Sequence, residues 1–266
     1  MIMPNSDALP RPRNRFDRPV YNLLRQLGIF EPLLRLYRSY SDFRRRGRAL
    51  EGKGLVPEGD LKNCYRRSLA CLREKNPDSP IGDYIEFGVC YGSSLACMHD
   101  VLVQGGERNV RLFGFDSFEG MPENARHEDT GHWTPGQLRS PLSFTKRLLA
   151  ERGVDLKRTF LVKGWFEESL TADTTARLKL ERAGIIMIDC VLYSSTVLAL
   201  QFCAPLIKDR AVIIFDDWNA LDLAEQNMGE RKAFVEFLEA HPQFESKELP
   251  GYDLAAVFLI SRRTTT

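Results

Sequence analysis

A chain of 266 residues is long enough for one α/β domain with a large core, or for such a domain with an appendage. Its 37 basic and 36 acidic side chains nearly cancel, so the chain as a whole lacks the positive balance of a nucleic-acid-binding protein. No stretch approaches the roughly 20 apolar residues of a membrane-spanning helix, and the start Met1-Ile2-Met3-Pro4 lacks the charged-then-apolar order of a signal peptide, which leads us to expect a cytoplasmic protein.

The charge is uneven along the chain. The first fifty residues hold eleven Arg against four acids. Residues 1 to about 16, rich in Pro and Arg and poor in apolar groups, read as disordered. Leu23, Leu24, Leu27, Ile29, Phe30, Leu33, Leu34, Leu36 and Tyr37 then recur at roughly helical spacing, interrupted by Pro32, with arginines on other positions. This describes an amphipathic arm expected to pack on the domain or on a sister subunit; lipid contact is the minor reading, and no base-reading motif accompanies the arginines. The Gly-rich link at 51–54 closes a segment of residues 1–55, and the remaining 56–266 form the expected main domain. Cys64, Cys71, Cys90, Cys97, Cys190 and Cys203 form no C-x-x-C and sit mostly in apolar runs, as reduced core thiols do.

A helix with Leu61, Tyr65, Leu69 and Leu72 on one face leads to the break at Pro77-Asp78-Ser79-Pro80. Apolar runs then alternate with helical segments: 84–89 and a helix to about 104, 111–115 and a helix to about 152, 159–163 and a helix to about 182, 184–192 and a helix to about 208, then 211–215 and a helix over 230–240. Repeated βα units imply a mainly parallel, Rossmann-like sheet covered by helices. Two further runs, 244–249 and 255–260, flank Pro250-Gly251-Tyr252-Asp253 and read as an antiparallel hairpin that brings the sheet to seven strands.

Ligands of open parallel sheets bind beyond the carboxyl ends of the strands, and here those ends are polar. The first run breaks into Gly88-Val89-Cys90-Tyr91-Gly92-Ser93-Ser94, where Gly88 and Gly92 allow close backbone approach and Ser93 or Ser94 can cap the next helix. Its spacing, Glu86-x-Gly88-x-x-x-Gly92, departs from G-x-G-x-x-G and so favours a nucleoside without a pyrophosphate over a dinucleotide. Asp116, ending the second run before Ser117, is placed to accept hydrogen bonds from ribose hydroxyls, or else serves as a turn carboxylate. Gly164-Trp165-Phe166 follows the third run, where either aromatic ring could flank an adenine or belong to the core. Asp189 ends the fourth run and Asp216-Asp217 the fifth. On neighbouring strands about 4.8 Å apart these carboxylates converge and repel one another unless neutralised, and an all-oxygen site of that kind suits Mg²⁺. The loop between Pro122 and Pro141 is long and decorated enough to be a lid, and its His132 is the histidine best placed for general-base work.

Taken together, Glu86-Phe-Gly-Val-Cys-Tyr-Gly-Ser-Ser94, Phe115-Asp-Ser-Phe-Glu-Gly-Met-Pro122, Gly164-Trp-Phe166, Asp189-x-x-Leu-Tyr-x-Ser-Thr196 and Phe215-Asp-Asp217 resemble the TylF-type (macrocin) O-methyltransferases, a family of class I S-adenosylmethionine enzymes, over roughly residues 56 to 260. The resemblance implies S-adenosylmethionine on Glu86, Gly88, Val89, Tyr91, Gly92, Ser93, Ser94, Asp116, Ser117, Gly164, Trp165, Phe166 and Asp189. It also implies Mg²⁺ on Asp189, Asp216 and Asp217 helping to bind a sugar diol, and a homo-oligomer formed through N-terminal segments. One position departs: the family usually reads Asp-x-Asp-Leu-Tyr, and here Val191 stands at the second Asp. Either the three remaining carboxylates suffice with waters, or this member works without metal.

The expected activity is in-line methyl transfer from a sulfonium to a hydroxyl of a small molecule, a sugar or natural-product intermediate, with Asp189 or His132 taking the proton if no cation does. The alternative is a non-catalytic or metal-independent S-adenosylmethionine-binding protein that captures a partner through the N-terminal arm. The sequence does not identify the methyl acceptor.

Overall fold

The computed structural model describes residues 56–74 and 79–263. The arm and link expected over residues 1–55 lie outside the described residues, as do Pro77 and Asp78 of the break.

The described chain runs α1 (Glu58–Glu74), β1 (Asp83–Phe87), α2 (Ser93–Gln104), β2 (Leu112–Asp116), α3 (Leu142–Glu151), β3 (Thr159–Lys163), α4 (Phe166–Ser169), α5 (Ala172–Leu178), β4 (Ala183–Ile188), α6 (Tyr193–Cys203), β5 (Arg210–Phe215), α7 (Gly229–Ala240), β6 (Phe244–Leu249) and β7 (Ala256–Arg262). The seven strands form one sheet in the order β3-β2-β1-β4-β5-β7-β6. The first five are parallel, and β7 runs antiparallel between β5 and β6. The hairpin therefore inserts its second strand and leaves β6 at the edge. Its Glu245, Lys247 and Glu248 are exposed, as suits a strand that must not pair with another chain.

Period-2 alternation sorts the strand side chains into two layers. On one face Tyr84, Leu112, Met187, Val212 and Ile214 pack with Leu61 and Leu69 of α1, Leu95 and Met98 of α2 and Leu149 of α3. On the other, Ile85, Phe87, Phe115, Ile186, Ile213 and Phe215 meet Leu200 and Phe202 of α6 and Phe234 and Phe237 of α7. β1 and β4 are buried along their whole length, which accounts for their unbroken apolar runs.

Three elements are shorter than their sequence pattern implies. The fourth strand stops at Ile188 because the chain turns through Val191 at φ 62. The helix expected to reach 208 ends at Cys203, where Pro205 converts the last turn to a 3-10 segment. The helix expected to reach 182 is two pieces, the second started by Thr171, whose hydroxyl accepts from the Thr174 amide. After β3 the chain crosses to the far side of β1 to form β4, so the switch point of the sheet lies between the carboxyl ends of β1 and β4.

Candidate active site

The turn after β1 occupies that switch point. Gly88 has φ +89, and a Cβ on it would stand 1.8 Å from the Asp189 carbonyl oxygen, so the turns after β1 and β4 touch backbone to backbone where only glycine fits. Amides tie the three strands together here: Gly88 N–H donates to Phe115 O and Asp189 N–H to Phe87 O, each at 2.9 Å. Gly92, in the left-handed region, is the N-cap of α2 and has Leu149 of α3 packed 2.8 Å from where its Cβ would be. Thr145 Oγ1 donates to Cys90 O at 2.6 Å, and Tyr91 meets Phe144 edge-on, so α3 closes over the turn. Val89 is buried and Ser93 exposed. Neither serine caps α2, because a left-handed glycine takes the cap position and puts both inside the first turn.

Ser94 Oγ instead donates to Glu86 Oε1 at 2.7 Å, and Tyr84 Oη donates to Glu86 Oε2 at 2.5 Å, with Tyr65 of α1 bonded to Tyr84 at 3.0 Å. Glu86 is 0% exposed, and this burial pushes its carboxyl up to about 8 despite the two hydroxyl donors. The structure thus places Glu86 beneath the turn, in the layer of α1 and α2.

Asp116 reaches across from β2. Its Oδ2 accepts the Val89 and Cys90 amides at 2.9 and 2.8 Å, its Oδ1 accepts the Phe118 amide at 2.5 Å, and one lone-pair position of Oδ1 is left for a further donor. Burial raises its pKa and the three amides oppose the rise. Ser117 shapes the next turn, donating to Gly120 O and accepting from Glu119 N–H. Gly164 N–H donates to Asp116 O at 3.1 Å, bringing the third strand end to the same rim. The two half-buried aromatic residues that follow part company: Phe166 packs against the core edge-on to Phe87 at 5.8 Å, while Trp165 is the N-cap of α4.

At the ends of β4 and β5, Asp189, Asp216 and Asp217 each offer an oxygen within 4.8 Å of the other two. The register pairs Ile188 with Phe215, and the Asp216 amide donates to Ile188 O at 2.9 Å, so Asp189 and Asp216 leave the sheet side by side. Tyr252 Oη donates to Asp216 Oδ1. Burial, then the neighbouring carboxylates, raises Asp189, and burial with the Asp216 charge pushes Asp217 up to about 7. A fourth carboxylate joins them. Glu230, 1% exposed at the start of α7, accepts the Asp217 amide on Oε2 at 3.1 Å. The sequence reading missed it, although Glu230 precedes Ala233, Phe234 and Phe237 by three, four and seven residues and so lies on the buried stripe of its helix.

The loop after Pro122 is pinned over this rim. Glu128 accepts the Ser194 amide and hydroxyl, and Asp129 accepts Tyr193 N–H at 3.1 Å and Gly229 N–H at 3.0 Å, so one aspartate caps the N-termini of α6 and α7 together. Trp133 packs with Met121, Ala125, Val191 and Leu192. His132 is exposed, edge-on to Trp133 at 5.3 Å. Val191 is 4% exposed in a left-handed conformation that strains a β-branched residue, and its side chain offers a cation no ligand atom.

The sheet order, the glycine turn at the switch point and the acid ending β2 define the class I methyltransferase fold. The macrocin-O-methyltransferase (TylF) family matches residues 63–241, and the chain belongs to that family. It is 31% identical over 171 residues to the 8-demethyl-8-(2,3-dimethoxy-alpha-L-rhamnosyl)-tetracenomycin-C 4'-O-methyltransferase of Streptomyces olivaceus. That match covers 62% of this chain and 61% of the relative, so the chain spans somewhat under two thirds of the relative's length. Among solved structures, the O-methyltransferase NovP superposes with a TM-score of 0.60 at 18% identity, covering 78% of this chain and 79% of NovP. The calicheamicin methyltransferase CalS11 superposes with a TM-score of 0.56 at 20% identity, covering 84% and 91%.

Proposed function

We propose that this protein transfers a methyl group from S-adenosylmethionine to a hydroxyl of a sugar carried by, or destined for, a natural product. The observation that carries the reading is the meeting at one switch point of a glycine turn, the β2-end acid Asp116 and three strand-end carboxylates. Gly88 to Gly92 would lie along the cofactor, the free lone pair of Asp116 Oδ1 would take a ribose hydroxyl, and Trp165 rather than the core-packed Phe166 would flank the adenine. Membership of an O-methyltransferase family and the rhamnosyl acceptor in the relative's name support the choice of acceptor.

Asp189, Asp216 and Asp217 offer hard oxygen donors whose mutual repulsion calls for a counter-charge, which fits Mg²⁺. A divalent cation bound there would lower the pKa of a coordinated hydroxyl. The chain's own part is to align acceptor oxygen and methyl carbon, to exclude water under the pinned loop and, where no cation activates the hydroxyl, to take its proton at an Asp189 oxygen or at the exposed His132. Assembly into a homo-oligomer through the N-terminal arm is retained in this reading. A cytoplasmic location is supported by the six free cysteines. Among the described residues no helix is long and apolar enough to cross a membrane.

Titration calorimetry with S-adenosylmethionine tests the first step. Micromolar binding that Asp116→Ala weakens at least tenfold is expected, and the absence of binding to folded wild type would overturn the assignment.

A further inference from the structure

Glu230 is an unusual first-turn acid. A carboxylate there ordinarily stabilises the helix dipole from solvent, yet this one is 1% exposed and its Oε1 has no partner among the described residues. Its other oxygen accepts the backbone amide of Asp217, and burial, then the neighbouring charges of Asp217 and Asp216, raises its pKa well above the usual glutamate value. No ion pair among the described residues reaches it; the nearest basic residue in sequence, Arg231, donates instead to Ala224 O. Its position is set from outside the helix, since Asp129 of the pinned loop holds the Gly229 amide immediately before it. A buried carboxylate oxygen with neither donor nor counter-ion is strongly unfavourable. A cation at the neighbouring carboxylates relieves that cost.

We infer that Glu230 is a positioning residue of the cation site. It fixes the backbone of Asp217 through one oxygen and, through its charge, strengthens the hold of Asp189, Asp216 and Asp217 on a divalent ion. It lies outside the set of oxygens within 4.8 Å of one another and so acts from behind Asp217. The inference rests on the metal part of the function proposed above, and its effect on that part is of the size seen when outer partners of metal ligands are removed.

The experiment is calorimetric titration of the full chain with MnCl₂, with no activity readout, beside a titration with S-adenosylmethionine. Glu230→Gln keeps an acceptor for the Asp217 amide and removes only the charge. It should weaken Mn²⁺ binding by roughly ten- to a hundredfold while leaving cofactor affinity unchanged. Wild-type Mn²⁺ affinity in this variant would overturn the inference, because hydrogen bonding alone would then explain Glu230. Glu230→Met, neutral and of similar length, removes the charge and the bond to the Asp217 amide together, so wild-type Mn²⁺ affinity in it would overturn both halves of the inference if the Gln variant does not fold. A flat Mn²⁺ trace from wild type that still binds S-adenosylmethionine would overturn the cation reading and the inference with it, and is told apart from the first failure by the wild-type trace itself.

Discussion

Glu86 shows how one buried side chain sets a pH response. Its carboxyl titrates at about 8 in the folded chain, against 4.5 for an exposed glutamate. Between those values the native state holds a proton that the unfolded chain has released, so stability falls as pH rises through the window. The loss is at most roughly 5 kcal/mol, since a tenfold change in proton affinity is worth about 1.4 kcal/mol. Glu86→Gln, neutral at every pH and able to bond Tyr84 and Ser94, should flatten the fall. Denaturant midpoints at pH 5 and pH 8 measure it: the variant's advantage should grow with pH, and equal slopes for both proteins would show that Glu86 is charged when folded.

At the scale of elements, the loop after Pro122 is fastened by helix ends. Helix N-termini leave four amides without internal partners, and Asp129 supplies acceptors to two helices whose first residues are far apart in sequence. Asp129→Ala should cost about 1–2 kcal/mol by denaturant unfolding, as lost caps do. It should also speed hydrogen exchange over residues 122–137 with little change in β1 or β4; unchanged exchange in the loop would mean that the Trp133 packing holds it alone. The same fastening connects the loop to the carboxylate cluster, because the amide it holds at Gly229 precedes Glu230.

For the whole molecule, the switch point couples stability to ligand. The turn after β1 is bonded to β2 and α3 and touches the backbone after β4, so a ligand bound there grips both halves of the sheet. At one hundred times its Kd, S-adenosylmethionine should stabilise the domain by about 2.7 kcal/mol, a rise of roughly 5–10 °C in Tm for a domain of this size. Scanning calorimetry with and without cofactor checks this, and no shift at saturating ligand would mean that the cofactor does not bind the native fold.

The parallel sheet, its covering helices, the closing hairpin and the strand-end positions of Gly88, Asp116, Asp189, Asp216 and Asp217 were legible in the sequence. They follow from local periodicities of 2 and 3.6 residues and from the chemistry of residues that end strands. The tertiary structure alone inserted β7 between β5 and β6, turned Glu86 into the core, separated Trp165 from Phe166, left Val191 strained and packed under Trp133, and brought Glu230 behind Asp217. Those outcomes depend on groups meeting across the chain, as Asp129 meets Gly229 a hundred residues away. A local pattern can mark a buried helix face, but which carboxylates share that burial is settled only when the strands and helices pack.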